Sequence, residues 1–141
     1  MKQRIAFDLD ETLGVPIVDQ STMVGFRVRD GALELLGRLK RKYALVLWTV
    51  GDRRYAEKAL SYGLRDYFDT LYCWDDLPVE WKDIRRIGVD YLIDDGEYHR
   101  DEARKHGVTR GYIVVPAYGC HQDQRSPLDW VLQIERELAA S

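Results

Sequence analysis

Residues 4–13 read RIAFDLDETL and combine a short apolar run with an abrupt acidic end. The apolar run is typical of a buried β-strand, and Asp8 and Asp10 follow it at once. If the chain stays extended there, carboxylates two residues apart point to the same side. Such a pair is costly unless a cation lies nearby or one acid keeps its proton. The stretch therefore predicts a strand that ends in a charged site.

Short apolar runs alternate with helical patterns along the rest of the chain. Further strands are predicted at 44–49, 70–73, 91–94 and 112–115. Helices are predicted from Ala32 to the basic run at 40–42, at 52–62, 82–87 and 97–106, and from Ser126 onward. Asp30 and Asp52 are the expected caps of the first two helices, and Ser126 is that of the last. A polar stretch, 14–28, predicts a loop or a small hairpin.

This order of elements predicts the fold class. Strands separated by helices favour an α/β protein with a parallel sheet. We expect a Rossmann-like three-layer sandwich, with a central parallel sheet of about five strands and helices on both faces. The 141 residues predict a single domain over 1–141.

Composition excludes several classes of protein. The chain is 45% hydrophobic and 32% charged, with a formal net charge of −3. Binding to nucleic acid or to a membrane mainly through a polybasic arm is therefore excluded. It holds no apolar run of the ~20 residues that a membrane span needs. Cys73 and Cys120 are too far apart for a zinc knuckle or a redox pair, which favours reduced thiols and a cytoplasmic protein. A homo-oligomer stays open, because the sequence does not give the oligomeric state.

Polar side chains end three of the predicted strands. Asp94 and Asp95 form a second acidic pair, and Thr49 ends another strand. In parallel sheets the carboxyl ends of the strands meet at one edge, where ligands bind. Two acidic pairs at that edge fit a hard divalent cation such as Mg²⁺, which prefers oxygen ligands.

Four segments, in order, resemble the motifs of the haloacid dehalogenase (HAD) superfamily of phosphohydrolases. These segments are FDLDETL at 7–13, LWT at 47–49, Lys82, and IDDG at 93–96. Within the superfamily the chain is similar to the small C-terminal-domain phosphatases of the NLI-interacting-factor-like family, which act on the RNA polymerase II tail. That similarity rests on residues 8–13, 29–32, 43–49 and 55–56. The sequence departs from the family at 29–31, where Arg-Asp-Gly replaces Arg-Pro-Gly, and it leaves little room for the family's substrate-binding insertion.

The resemblance implies phosphoryl transfer through an aspartyl phosphate in a magnesium-dependent phosphatase. Asp8 would be the nucleophile and a metal ligand. Asp10 would be the general acid and base, with its backbone carbonyl on the metal. Asp94 would complete the metal site, and Asp95 would support it.

Three further residues are predicted to bind the phosphoryl group. The resemblance assigns Thr49 and Lys82 to its oxygens, with Lys58 as a rival lysine. Arg53 lies in the first turn of a helix, where the helix dipole disfavours a cation unless an anion is near. An alternative interpretation is that Arg53 and its neighbour Arg54 are solvated and point outward.

The spacing of the motifs leaves no room for a cap domain, either in 14–28 or in 51–81. An open site favours a phosphoprotein or another large substrate. Phosphorylated nucleic-acid ends, nucleotides and small metabolites stay open as alternatives. A regulatory domain that binds phosphate without turnover is the third hypothesis, and the intact acidic pairs disfavour it.

Overall fold

The computed structural model describes all residues, 1–141. The strands, in chain order, are β1 (Gln3–Phe7), β2 (Gly14–Asp19), β3 (Thr22–Val28), β4 (Tyr43–Trp48), β5 (Thr70–Tyr72), β6 (Tyr91–Asp94) and β7 (Tyr112–Val114). The helices are α1 (Ala32–Leu39), α2 (Arg53–Leu60), α3 (Ile84–Ile87), α4 (Tyr98–Lys105), α5 (His121–Arg125) and α6 (Asp129–Ala139). None of these helices is long and apolar enough to span a membrane.

Five of the strands form a parallel sheet in the order β5-β4-β1-β6-β7. In the centre, Phe7 of β1 lies opposite Leu47 of β4 on one side and Ile93 of β6 on the other. From β1 the chain builds outward through β4 and β5 and then crosses back to β6. The strand order therefore reverses beside β1, and α/β sheets bind ligands at such a point.

The two faces of the sheet are covered by different apolar clusters, as the period-two pattern of the strands requires. The larger cluster joins residues such as Ile5 and Phe7 of β1 to α1, the end of α2, and α6. The smaller cluster joins Ala6 and Trp48 to Ile84 of α3 on the opposite face. This confirms the predicted α/β sandwich with helices on both faces.

Residues 14–28 form an antiparallel hairpin of β2 and β3. Its first residue must be glycine, because a Cβ on Gly14 would lie 2.3 Å from the Arg27 carbonyl oxygen. The hairpin is the whole insertion between β1 and α1, and only short elements separate β4 from β6. The molecule therefore has no cap domain, as predicted.

The helix ends confirm one expected cap and contradict two. Asp52 caps α2, since its side chain accepts the Tyr55 N–H at 2.8 Å. Asp30 does not cap α1. Gly31 holds that position with a φ of 82°, and a Cβ there would lie 2.9 Å from the side chains of Leu128 and Val131.

The C-terminal region contains one helix more than the sequence predicted. Residues 121–125 form α5, which is absent from the predicted helices, and α6 begins at Asp129 with no side-chain cap from Ser126. The physical reason is tertiary, because Asp123 of α5 forms a buried ion pair with Arg29 at 2.9 Å. A distant partner of this kind leaves no local signal.

Candidate active site

The carboxyl edge of the sheet brings the predicted strand-end residues together. Asp8 follows β1, Thr49 follows β4, and Asp94 is the last residue of β6. The Asp8 N–H donates to the Ile93 carbonyl at 3.0 Å, so the pairing of β1 with β6 continues into the site. Register between neighbouring strands thus places the Asp8 and Asp94 backbones side by side.

Three carboxylates converge at this edge. Asp8, Asp94 and Asp95 each offer an oxygen within 4.8 Å of the other two. The Thr12 hydroxyl lies 3.1 Å from Asp8 Oδ2 and 3.0 Å from Asp95 Oδ1, and it can donate to only one of them at a time. Burial, with the charges of Asp8 and Asp94, raises the pKa of Asp95 to about 7. Burial and the charge of Asp8 also raise the pKa of Asp94. A site that destabilises its own carboxylates in this way fits a hard divalent cation.

Lys82 is the cation that the chain itself supplies to this cluster. Its side chain is 1% exposed, and Nζ lies 2.9 Å from Asp8 Oδ1 and 3.6 Å from Asp94 Oδ2. A buried ammonium requires such partners, because an unpaired charge is costly away from water. Lys58, the rival lysine, lies exposed on α2 and makes no ion pair.

Asp10 does not belong to the cluster of three carboxylates. Its Oδ1 accepts a hydrogen bond from the Tyr55 hydroxyl. Burial raises the pKa of Asp10, and the hydrogen bond from Tyr55 opposes that rise. The turn that follows is tight, with Glu11 at a φ of 64° and its N–H donating to the Gly14 carbonyl at 2.8 Å.

Thr49 and Arg53 differ in their surroundings. Thr49 is buried, and its Oγ1 accepts the Gly51 N–H at 3.1 Å, which leaves the hydroxyl proton free to donate. Arg53 is partly exposed and forms ion pairs with Asp76 and Glu57. These pairs use one N–H of Nη1 and one of Nη2, and a guanidinium carries five N–H donors.

The sequence interpretation missed three side chains that support the site: Tyr55, His99 and Tyr112. His99 Nδ1 accepts the backbone N–H of Lys82 at 2.9 Å, and the Tyr112 hydroxyl donates to the Lys82 carbonyl at 2.8 Å. Burial, with the charge of Lys82, lowers the pKa of His99 to about 4. The position of His99 in the first turn after the second acidic pair was the one available signal, and Tyr112 offered none.

Comparison with known proteins agrees with this geometry. A family model for NLI interacting factor-like phosphatases matches residues 4–91. No curated protein matches the sequence. The fold is that of a HAD-superfamily hydrolase, and the chain belongs to the NLI interacting factor-like phosphatase family. It is therefore a phosphatase, as its motifs predicted.

Solved structures share the fold at low sequence identity. Fcp1, described as an essential RNA polymerase II CTD phosphatase, aligns with a TM-score of 0.66 and 21% identity, over 99% of this chain and 52% of that one. A fission yeast Fcp1 variant bound to beryllium fluoride gives a TM-score of 0.63 and 19% identity, over 99% and 54% of the two chains. A haloacid dehalogenase-like hydrolase from Xanthomonas campestris gives 0.64 and 15%, over 99% and 97%. The chain thus spans about half the length of the Fcp1 chains.

Proposed function

We propose that the protein is a magnesium-dependent phosphatase that hydrolyses a phosphomonoester through an aspartyl phosphate on Asp8. The observation that carries this proposal is the convergence of three carboxylates and the buried Lys82 at one sheet edge. Nothing else in the fold explains why a protein would bury so many like charges together. The domain that performs the reaction is proposed to span 1–141.

The donor set at the edge suits Mg²⁺. Asp8 and Asp94 would hold it with carboxylate oxygens, Asp10 with its backbone carbonyl, and Asp95 would complete or support the set. When bound, the ion offsets the negative charge of the carboxylates and of the phosphoryl oxygens.

Asp8 acts as the nucleophile in this mechanism. One carboxylate oxygen forms a bond to phosphorus as the bond from phosphorus to the substrate oxygen breaks. Lys82 Nζ, 2.9 Å from Asp8 Oδ1, pairs with that carboxylate and orients it. Water then attacks the phosphorus, and the bond between Asp8 and phosphorus breaks to release phosphate.

Asp10 moves the proton in both steps. It gives its proton to the leaving oxygen in the first step and takes one from the attacking water in the second. Burial raises the pKa of Asp10 and so favours the proton needed at the start. The Tyr55 hydroxyl, donating to Asp10 Oδ1, supports the ionised form that the second step needs.

Thr49, Lys82 and Arg53 are proposed to bind the phosphoryl oxygens. Charge spreads over these oxygens in the transition state, so donors that are already in place supply much of the catalysis. Thr49 and Lys82 are both buried at the sheet edge, whereas Arg53 lies further out. Arg53 would therefore serve substrates that carry additional negative charge.

A phosphoprotein or another large substrate is proposed, since no cap domain encloses the site. Fcp1, with which this chain shares its fold, is described as a phosphatase of the RNA polymerase II CTD. Phosphorylated nucleic-acid ends and small phosphometabolites are the competing substrates. A cytoplasmic location stays a prediction.

Hydrolysis of p-nitrophenyl phosphate tests the chemistry. We expect Asp8→Asn to lower kcat by at least about a thousandfold, as removal of a nucleophile does. Chelation of Mg²⁺ should abolish the activity of the wild type. Asp19→Asn, an exposed carboxylate on the hairpin, is the matched control and should retain full activity. Activity that survives chelation or Asp8→Asn would overturn the mechanism.

A panel of phosphopeptides, end-phosphorylated oligonucleotides and phosphometabolites then separates the substrate classes by kcat/KM. We expect phosphopeptides to rank first. An oligonucleotide or metabolite in that place would contradict the proposed substrate.

A further inference from the structure

The residue that neutralises the acidic cluster lies on a segment without regular structure. Residues 73–83 contain neither helix nor strand, yet Lys82 is buried to 1% exposure against Asp8. Irregular segments have few hydrogen bonds of their own, so tertiary contacts must fix their position. What holds the backbone at Lys82 therefore decides where its ammonium lies.

Tyr112 holds the backbone on the carboxyl side of Lys82. Its hydroxyl donates to the Lys82 carbonyl at 2.8 Å and accepts the Ile84 N–H at 3.0 Å. One side chain from the edge strand β7 thus satisfies two backbone groups that would otherwise lack partners. Phenylalanine could fill the same space but would form neither bond.

His99 holds the backbone on the amino side of Lys82. Its Nδ1 accepts the Lys82 N–H at 2.9 Å, which places the ring proton on Nε2. Nε2 lies 3.7 Å from Asp94 Oδ2, so the same ring faces one of the acidic residues. His99 therefore links the Lys82 backbone to the end of β6.

Trp81, the residue before Lys82, packs at the end of α4, the helix that carries His99. Trp81 stacks on His106 at the end of α4, with ring centroids 5.0 Å apart and an interplanar angle of 26°. The segment is thus attached to α4 at two successive residues, through Trp81 and through the Lys82 N–H.

We propose that His99 and Tyr112 are positioning residues of the phosphatase reaction, which together clamp the Lys82 backbone so that Nζ meets Asp8 and the phosphoryl group. This inference rests on the proposed role of Lys82. Neither residue touches the reacting atoms. Tyr112 acts through Lys82, and His99 acts through Lys82 and through the Asp94 carboxylate that it faces. Loss of the hydrogen bonds from either residue releases the irregular segment 73–83 and displaces the Lys82 ammonium from Asp8 and Asp94.

Three substitutions, at Tyr112 and His99, and one control, at Tyr43, separate the contacts of the clamp. Tyr112→Phe removes both hydroxyl bonds. The control, Tyr43→Phe on the interior strand β4, removes a hydroxyl that makes no hydrogen bond. An asparagine oxygen can replace Nδ1, whereas a glutamine amide reaches the place of Nε2. His99→Asn therefore keeps an acceptor for the Lys82 N–H, and His99→Gln loses it.

Two measurements on the metal-free protein, without substrate, report the clamp directly. The first is hydrogen exchange of the Lys82 and Ile84 amides, with the amides of β1 as an internal reference. The second is the rate of amine acylation at Lys82 relative to the exposed Lys58, read by mass spectrometry. Tyr112→Phe and His99→Gln should speed both amide exchange and amine acylation at Lys82, and the β1 amides should stay protected from exchange. Tyr43→Phe and His99→Asn should resemble the wild type.

Kinetics on p-nitrophenyl phosphate then test the role in the reaction. We expect Tyr112→Phe and His99→Gln to lower kcat by roughly 10–100-fold, as loss of supporting hydrogen bonds does around other catalytic groups. KM should change little, and His99→Asn should restore most of kcat. Any of three results overturns the proposal. The Lys82 amide stays protected from exchange in both variants, or the β1 amides exchange faster by the same factor. In the third, kcat is unchanged although the Lys82 amide exchanges faster. Absence of any phosphatase activity would refute the proposed function, and the labelling would still decide whether the clamp exists.

Discussion

Asp95 illustrates how the environment of one residue differs from that of an ordinary surface aspartate. It is half-buried beside Asp8 and Asp94, and its pKa rises from 3.8 to about 7. The folded protein thus holds this proton more tightly than the unfolded chain does. Ionising Asp95 therefore costs stability, which is lost as the pH rises through about 7.

Asp95→Asn should remove this cost in the metal-free protein. We expect the melting temperature of the wild type, relative to that of Asp95→Asn, to fall between about pH 4 and about pH 8. His99, whose pKa is lowered to about 4, has the opposite effect, but both proteins share it. Calorimetry in the presence of a chelator measures the difference.

The control is Asp19→Asn, whose melting curve should run parallel to that of the wild type at every pH. Adding Mg²⁺ at about pH 8 should stabilise the wild type more than Asp95→Asn, because a cation offsets the repulsion that the substitution removes. Parallel curves for the wild type and Asp95→Asn would contradict this account of the cluster.

At the scale of single elements, Gly14 and Gly37 differ in the space that their surroundings leave for a Cβ. Gly14 opens β2, where a Cβ would lie 2.3 Å from the Arg27 carbonyl oxygen. Gly37 lies within α1, where the nearest atom to a Cβ, on Tyr67, is 3.9 Å away. The hairpin therefore needs its glycine, whereas the helix only tolerates one.

Alanine at these two positions should change stability in opposite directions. Gly14→Ala forces strand β3 away and should destabilise the protein by about 1–3 kcal/mol, as overpacking does. Gly37→Ala should stabilise it by about 1 kcal/mol, because alanine has the higher helix propensity. Urea denaturation of both variants and the wild type provides the comparison, and equal effects of the two substitutions would refute the steric argument.

At the scale of the whole molecule, a buried ion pair links the C-terminal helices to the turn after β1, residues 8–13. Arg29 is 2% exposed, donates to the Thr12 carbonyl at 3.3 Å and to Asp123 Oδ1 at 2.9 Å, and lies 4.4 Å above the Trp130 ring. The Thr12 hydroxyl contacts Asp8, and Arg29 holds the carbonyl of the same residue. Arg29 therefore supports the turn that carries Thr12. Asp123 and Trp130 lie beyond the residues 4–91 that match the family.

Asp123→Asn should therefore be far more costly than a comparable change at the surface. Breaking one partner of a buried pair leaves the Arg29 charge uncompensated, and we expect a loss of about 3–5 kcal/mol of unfolding free energy. The matched control is Glu135→Gln, which breaks the exposed pair with Arg38 and should cost less than about 1 kcal/mol. Chemical denaturation measures the loss of unfolding free energy in both variants. Similar losses would contradict a large contribution of the Arg29–Asp123 pair to stability.

Prediction from the sequence succeeded where the signal is local. The short apolar runs of the strands, the acidic residues after β1 and the Asp52 cap all depend on residues close in the chain. Gly31 at the cap of α1 and the extra helix α5 were missed, because packing against Leu128 and the Arg29 pair selects them. No pattern within one segment encodes such contacts.

The same division applies to the site. Short apolar runs between helical patterns, with carboxylates at the strand ends, by themselves determined an α/β sheet whose edge gathers acids, since the carboxyl ends of parallel strands meet at one edge. Only the tertiary structure decided that Tyr55 meets Asp10 and that His99 and Tyr112 hold Lys82, across 45, 17 and 30 residues of chain. Hydrogen bonds act over about 3 Å, so their partners are set by how the layers pack rather than by spacing along the sequence.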